Sequence, residues 1–537
     1  MIGAKLFAAI LLTIRAQEHQ HAATPEKLGT VHFSTSCNQT AQQQFNRAVA
    51  LLHSFQFSRA IAAFHQTLGA DPSCAIAYWG IALSDWSNPF ALGAKDKSQL
   101  QAGQQNAERG KAAGAKTDRE RAYISAVGKL YNSFESTPQQ TRLLAYRDAM
   151  QQVAAKYPDD HEAQIFYALA LAASEDPADK TYAGRLKAGA ILETLFAEEP
   201  THPGLAHYII HTYDVPALAP KALQAARRYS DIAPDAPHAL HMPSHTFTRT
   251  GYWQESIDSN IAATAAARRD GQTAEELHAT DYEIYAYLQT GQDHAAQQIV
   301  KSLPEIATRF DPNAVISGAG GPSAAYFALA AIPARYALER QDWNQAAQLP
   351  LRETPFPYTD AITWFTRGFG AARLRQAATA NDSAAALRKI REQLLQADEN
   401  YWARQVEIQQ LAVEAWAALA ADNKGDALRL MKSAAELEDG SEKSAVTPGP
   451  LAPARELLGE MLLQLNQPTL ALEQFELTIK TEPGRFRTLY GAARAAQLSG
   501  NRDAAQKYFL ALLRVCRRAD LPQRPELIEA QHYILQK

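Results

Sequence analysis

The sequence predicts an all-α solenoid of stacked helix–turn–helix units, divided into halves at 23–315 and 316–537 behind a leader at 1–22. Three observations point there. Alanine, leucine, glutamine and glutamate dominate while valine and isoleucine are sparse, which favours helix over strand. At 537 residues the chain is too long for one compact core. Small residues, aromatics and prolines recur at fixed offsets, and self-similarity at a fixed period is the mark of a repeat array.

The elements follow in chain order. Lys5 and the apolar run Leu6–Ile14 read as the n- and h-regions of a secretory signal, with cleavage after Ala16, Ala22 or Ala23. This predicts a periplasmic or secreted protein. No later apolar run reaches the ~18 residues that span a bilayer. Ala48, Ala60, Phe64 and Pro72 mark a first hairpin, flanked by Cys37 and Cys74. In an exported chain those two cysteines are candidates for a disulfide, the alternative being two buried thiols. From Asp85 to Arg142 the register lapses, although Ser98–Ala113 and Thr117–Tyr131 still read as helices. Pro158, Pro200 and Pro234 close further units, because proline cannot donate the next helical hydrogen bond. The glycine-rich stretch Phe310–Ser323 breaks the pattern and separates the halves, and Gly440–Pro453 is a second loop. Gly459, Ala471, Phe475 and Pro483 repeat the first hairpin's slots, followed by Gly500, Ala505 and Phe509. A short helix follows Leu521, and Cys516 reads as a core residue.

These slots resemble the tetratricopeptide-repeat superfamily over most of the chain. The segments HYIIHTYD, HALHMPSHTFTRTGYW and PARELLGEMLLQL are also similar to a bacterial group of secreted repeat proteins. The resemblance implies a right-handed superhelix, with positions 2, 5, 9 and 12 of each first helix facing a concave channel. It also implies a scaffold that binds a protein or peptide, since function lives in sites carried by a fold rather than in the fold itself.

The chemistry concentrates in two histidine pairs. His207 and His211 stand four residues apart in HYIIH, and His241 and His245 stand four apart in HMPSH. The second pair follows the first by 34 residues, one repeat. Counted from the prolines, both pairs fall at positions 5 and 9, and His238 at position 2. The next unit offers His278, Asp281 and Tyr285 at positions 2, 5 and 9. Residues i and i+4 share a helix face about 6 Å apart along the axis, and packed helices run ~8–10 Å apart. Four imidazoles from neighbouring turns can thus surround one ion, and imidazole suits zinc, copper, iron or nickel over calcium or magnesium. His207, His211, His241 and His245 are the candidate metal ligands. His238, His278, Asp281 and Tyr285 are candidate groove residues, and Asp281 and Tyr285 are candidate acid–base groups. Asp214, Asp258 or Asp281 would orient the rings through their second nitrogens. His53, His65 and His161 are isolated in the repeat pattern. Pro243 interrupts the second pair. Either it breaks the helix there, or the helix begins at Pro243 and leaves His238 and His241 on an approach loop.

A lone groove histidine is more often a hydrogen-bonding or core group than a ligand; the repeated placement is what favours a metal. The chain carries a net charge of −4 without a basic stripe, so nucleic acid is not an expected partner. No phosphate-binding loop, zinc knuckle, EF-hand or nucleophile elbow is present. The expectation is an exported binding scaffold with a transition metal (zinc, copper or iron) in its groove. The alternatives are a metal-dependent hydrolase or oxidoreductase on the same scaffold, and a metal-free peptide-binding scaffold.

Overall fold

The computed structural model describes residues 26–91, 93–313 and 318–536. Among these residues every regular element is a helix. Successive helices pair as antiparallel hairpins, beginning with Gln39–His53 and Phe57–Ala70, and neighbouring hairpins stack in chain order. The fold is a tetratricopeptide-like helical solenoid. The expected leader at 1–22 lies outside the described residues. No described helix is long and apolar enough to cross a membrane.

Local chemistry sets the helix ends. The side chains of Asn38, Asp96, Thr117, Asp160 and Asn501 each accept a hydrogen bond from a free N–H of the following first turn. Gly251 ends the split helix before it with φ of 75°, a left-handed conformation in which a side chain would be strained. The small slots admit the aromatic ones. A Cβ on Gly80 would sit 2.1 Å from Phe64, and one on Gly491 2.4 Å from Phe475. Glycine there lets one hairpin close on the aromatic side chain of the hairpin before it.

The stretch without a repeat register is not an outlying insertion. Lys97–Ala113 and Asp118–Gly128 both pack on Ile76–Trp86, and Tyr131 closes on Gly103. Cys37 and Cys74 are joined in a disulfide across the first hairpin. Cys516 is buried, with its thiol facing the Gln289 carbonyl.

One apolar cluster runs from Leu28 to Phe247, and a second from Phe327 to Ala530. The division expected at 315/316 falls outside the described residues. On either side of it, Leu277, Ile284 and Leu288 pack with Ala325, Leu329 and Ile332 in one cluster.

The solenoid also closes on itself. Trp253 Nε1 donates to the Gly484 carbonyl (2.9 Å), the Phe486 amide to Gln289 (2.9 Å), and the Asp520 amide to the Gly291 carbonyl (3.1 Å). The Gly440–Pro453 loop lies inside this closure. Tyr282 donates to the carbonyls of Ala445 and Thr447, and Arg335 donates to Thr447 and to the Gly449 carbonyl. A loop that the sequence places between helices thus packs against the helices Thr273–Gln289 and Pro322–Glu339.

Candidate metal centre

Pro203–Thr212 is a short helix with proline in its first turn, where the missing N–H costs nothing. It is buried on all sides, so His207 and His211 are 0% and 3% exposed. Their partners come from Pro237–His241 and Pro243–Thr250. Pro243 does open the second segment, as one sequence reading expects. His238 and His241 do not lie on an approach loop, however. Met242 keeps helical dihedrals (φ −53°, ψ −35°), its N–H donates to the His238 carbonyl, and the His245 N–H donates to the Met242 carbonyl. The proline forfeits one bond and the helical path continues. His241 and His245 therefore remain face neighbours, with their Nε2 atoms 3.0 Å apart.

Six histidines converge, as two triads. His207, His211 and His238 offer ligand atoms within 4.8 Å of one another, and so do His241, His245 and His278. The triads adjoin: the His211 and His245 rings are 5.8 Å apart, and the His238 and His241 rings 5.9 Å.

The second nitrogens of three rings are held by fixed acceptors. His207 Nδ1 donates to the His53 carbonyl (2.6 Å). His245 Nδ1 donates to Asp214 Oδ2 (3.0 Å). His241 Nδ1 faces Asn260 Oδ1 at 2.8 Å, and Asn260 Nδ2 donates to the Ser256 carbonyl, which fixes the amide's orientation. So His241 Nδ1 carries the proton, and the network assigns each ring a tautomer with a bare Nε2. The Nε2 atoms of His241 and His245 then present two lone pairs to each other at 3.0 Å. His207 Nε2, His211 Nε2, His238 Nε2 and His278 Nδ1 are buried with no hydrogen-bond partner among the described residues, and His238 Nδ1 faces only Glu275 Oε2, at 3.4 Å. Buried polar atoms left unpaired cost about 1–3 kcal/mol each.

Burial, reinforced by the neighbouring imidazoles, holds His207, His211 and His241 well below the usual histidine range. Burial brings His245 down to about 4 and His278 to about 3, against the pull of Asp214 and Glu275 respectively. These five rings are neutral at pH 7, the form that binds metals. Burial opposes charge on Asp214, but Lys443 at 3.1 Å, the His245 bond and Arg249 at 3.1 Å outweigh it and hold the carboxyl well below its usual range.

Asp281 and Tyr285 stand apart from the histidines. Asp281 is locked to Arg335 (2.8 Å), and Tyr285 accepts a hydrogen bond from Arg485 (3.1 Å). The helix is turned so that Tyr282, four residues beyond His278, takes the facing position, with its ring 4.7 Å from that of His245. Asp258 is bonded to Gln254 and is not an orienting group. Asn260, the His53 backbone and Glu275 (3.4 Å from His238) take that work beside Asp214. The sequence carries no local signal for Asn260, Glu275 or Lys443.

His53 is not isolated in space. Glu162 accepts from both His53 (2.9 Å) and His202 (3.1 Å) in a buried cluster beside the first triad. Those bonds, with Tyr208 at 3.0 Å from His53 Nδ1, satisfy all of its ring nitrogens except His202 Nδ1. It reads as a packed polar network.

A cavity of about 510 Å³ opens in front of the triads, reaching His211, His238, His245 and His278. Tyr326, Phe356, Tyr358 and Trp402 also line it, as do residues 444–446 of the loop.

No family model matches the chain, and no curated protein matches it. Solved structures resemble it over most of its length. One is the human IFIT1 dimer with m7Gppp-AAAA, at 11% identity over 91% of this chain and 97% of that one, with a TM-score of 0.36. Another is the APC/C hetero-tetramer Cut9-Hcn1, at 12% identity over 92% and 89%, with a TM-score of 0.35. At that distance neither bears on the site.

Proposed function

We propose that this chain is an exported helical-repeat metalloprotein, periplasmic or secreted, that holds two transition-metal ions beside a small-molecule cavity. His207, His211 and His238 bind one ion, and His241, His245 and His278 the other. The observation that carries the reading is the pair of lone pairs meeting at 3.0 Å between His241 and His245. Two acceptors at that distance repel unless they share a cation, and nitrogens about 2.05 Å from a tetrahedral ion lie roughly 3.3 Å apart. The unpaired nitrogens of the other rings support the same reading. An all-imidazole shell suits zinc, copper or iron. The Cys37–Cys74 bond supports an oxidising compartment.

A second reading, a metal-dependent hydrolase or oxidoreductase, is favoured by the ligand count. Three protein ligands per ion leave a position open, as in catalytic sites, and a bound ion would there supply Lewis acidity or an activated water. The metal-free peptide groove has less support, because the 440–453 loop packs against the helices Thr273–Gln289 and Pro322–Glu339.

The test is elemental analysis of untagged protein purified without chelator. We expect two equivalents of one imidazole-preferring metal, falling to one in the double variant His241→Ala, His245→Ala. Less than a tenth of an equivalent, with none taken up on titration, overturns the reading.

A further inference from the structure

The cavity's chemistry carries a second step, which rests on the two-ion reading above. Besides the histidines, its lining carries a run of flat aromatic rings. Tyr358 and Trp402 stack in parallel at 4.0 Å and 4°, Phe356 lies 6.0 Å from Tyr358, and Tyr326 lies 5.8 Å from Phe356. On the histidine side Phe90 stacks on His211 at 4.4 Å and 13°. All five line the same space. A volume of about 510 Å³ is the size of a small-ligand site and too small for a folded partner.

The polar groups in that space look for a negative oxygen. Six imidazoles are uncharged ligands, so two divalent ions would bring positive charge that the rings do not cancel. Asp214 is already committed to Lys443 and Arg249, and Glu275 stands beside His238. Lys95, the only lysine or arginine among the described lining residues, donates to the Asn88 carbonyl (2.8 Å) and has no carboxylate partner there; burial brings its amine down to about 7, where an anion beside it would favour the charged form. The buried indole N–H of Trp402 has no acceptor among the described residues.

We propose that the cavity binds a planar aromatic oxyanion of phenolate size. Its ring lies against the Trp402–Tyr358 wall and its oxygen is directed to the open positions of the ions. Stacking supplies selection for a flat ring, since aromatic pairs gain about 0.5–1.5 kcal/mol beyond area burial. Charge supplies selection for the oxygen end.

The test uses full-length protein loaded with zinc, its metal content measured first, and titrated with 4-nitrophenolate by absorbance and calorimetry. Azide serves as an anion without a ring. We expect 4-nitrophenolate to bind the loaded protein at least tenfold more tightly than the stripped protein. Trp402→Leu should weaken it tenfold or more, with azide binding and metal content unchanged. Phe90→Leu, at a half-buried position, repeats the test should Trp402→Leu fail to fold. Loaded protein that ignores 4-nitrophenolate, or variants that bind it as well as the parent or lose azide equally, overturn the aromatic assignment and leave the metal reading standing. Failure to take up metal overturns both.

Discussion

Asn260 is polar and fully buried, and its position is dictated by two hydrogen bonds that point opposite ends of its amide at Ser256 and His241. Replacing it with leucine keeps the volume and removes the group that fixes the His241 tautomer. Loss of such an orienting partner typically costs 10–100-fold in metal affinity. Asn260→Leu should show that drop for one of the two equivalents in a chelator competition titration; unchanged affinity for both would remove Asn260 from the site. Asp85 behaves differently. It is 4% exposed, accepts from Asn106 (2.8 Å), and burial pushes its carboxyl up to about 6. The folded state therefore keeps a proton that the unfolded chain releases above about 4. Stability from this group is fully present below that point and is lost as pH rises to about 6, at roughly 1.4 kcal/mol per pH unit. Asp85→Asn should gain on the parent across that window and hold a constant gain of roughly 2–3 kcal/mol above it, read by urea unfolding at several pH values. A gain that does not vary with pH would refute the assignment.

Helices show how far local pattern reaches. The HYIIH and HMPSH pairs share faces because i and i+4 always do on a continuous helical path, and that much is readable in one dimension. Even Pro243 leaves the second pair intact, since Met242 keeps helical dihedrals. Which face points inward is another matter. Sequence numbering assigns Asp281 and Tyr285 to the channel, yet Arg335 and Arg485 draw those two side chains away and turn Tyr282 toward the histidines. Both arginines come from the other half of the chain, so the helix's rotation was not legible locally. Small slots are legible, because they reflect direct contact. Gly491→Ala would place a methyl 2.4 Å from Phe475 in a packed core. Overpacking of this kind costs about 1–3 kcal/mol. Thermal unfolding should register the loss, whereas Gly425→Ala, with open space around it, should be neutral or slightly stabilising.

Closure of the solenoid joins parts of the chain that no repeat relates. Arg249 ties Asp214, next to the centre, to Glu482 in the C-terminal half. All three side chains are buried, so Arg249→Met would strand Glu482 and leave Asp214 with Lys443 as its one cationic partner. Breaking a buried pair by removing one partner costs about 3–5 kcal/mol. We expect a loss of that size in urea unfolding together with weakened metal binding, because Asp214 orients His245. A loss below about 1 kcal/mol would mean that the closure contributes little.

Taken by itself, the chain's one-dimensional pattern determined the helical repeat class, the hairpin limits and the histidine pairs, since helix propensity, capping and i/i+4 neighbourhood are local. Only the tertiary structure decided that the rings form two triads with His238 and His278, and that Asn260 and a backbone carbonyl orient them. It also decided that residues 444–446 of the loop line the cavity beside the histidines. Those outcomes depend on helix rotation and on contacts between distant residues, such as His53 with His207 and Lys443 with Asp214. Packing settles them, and no spacing in the sequence records it.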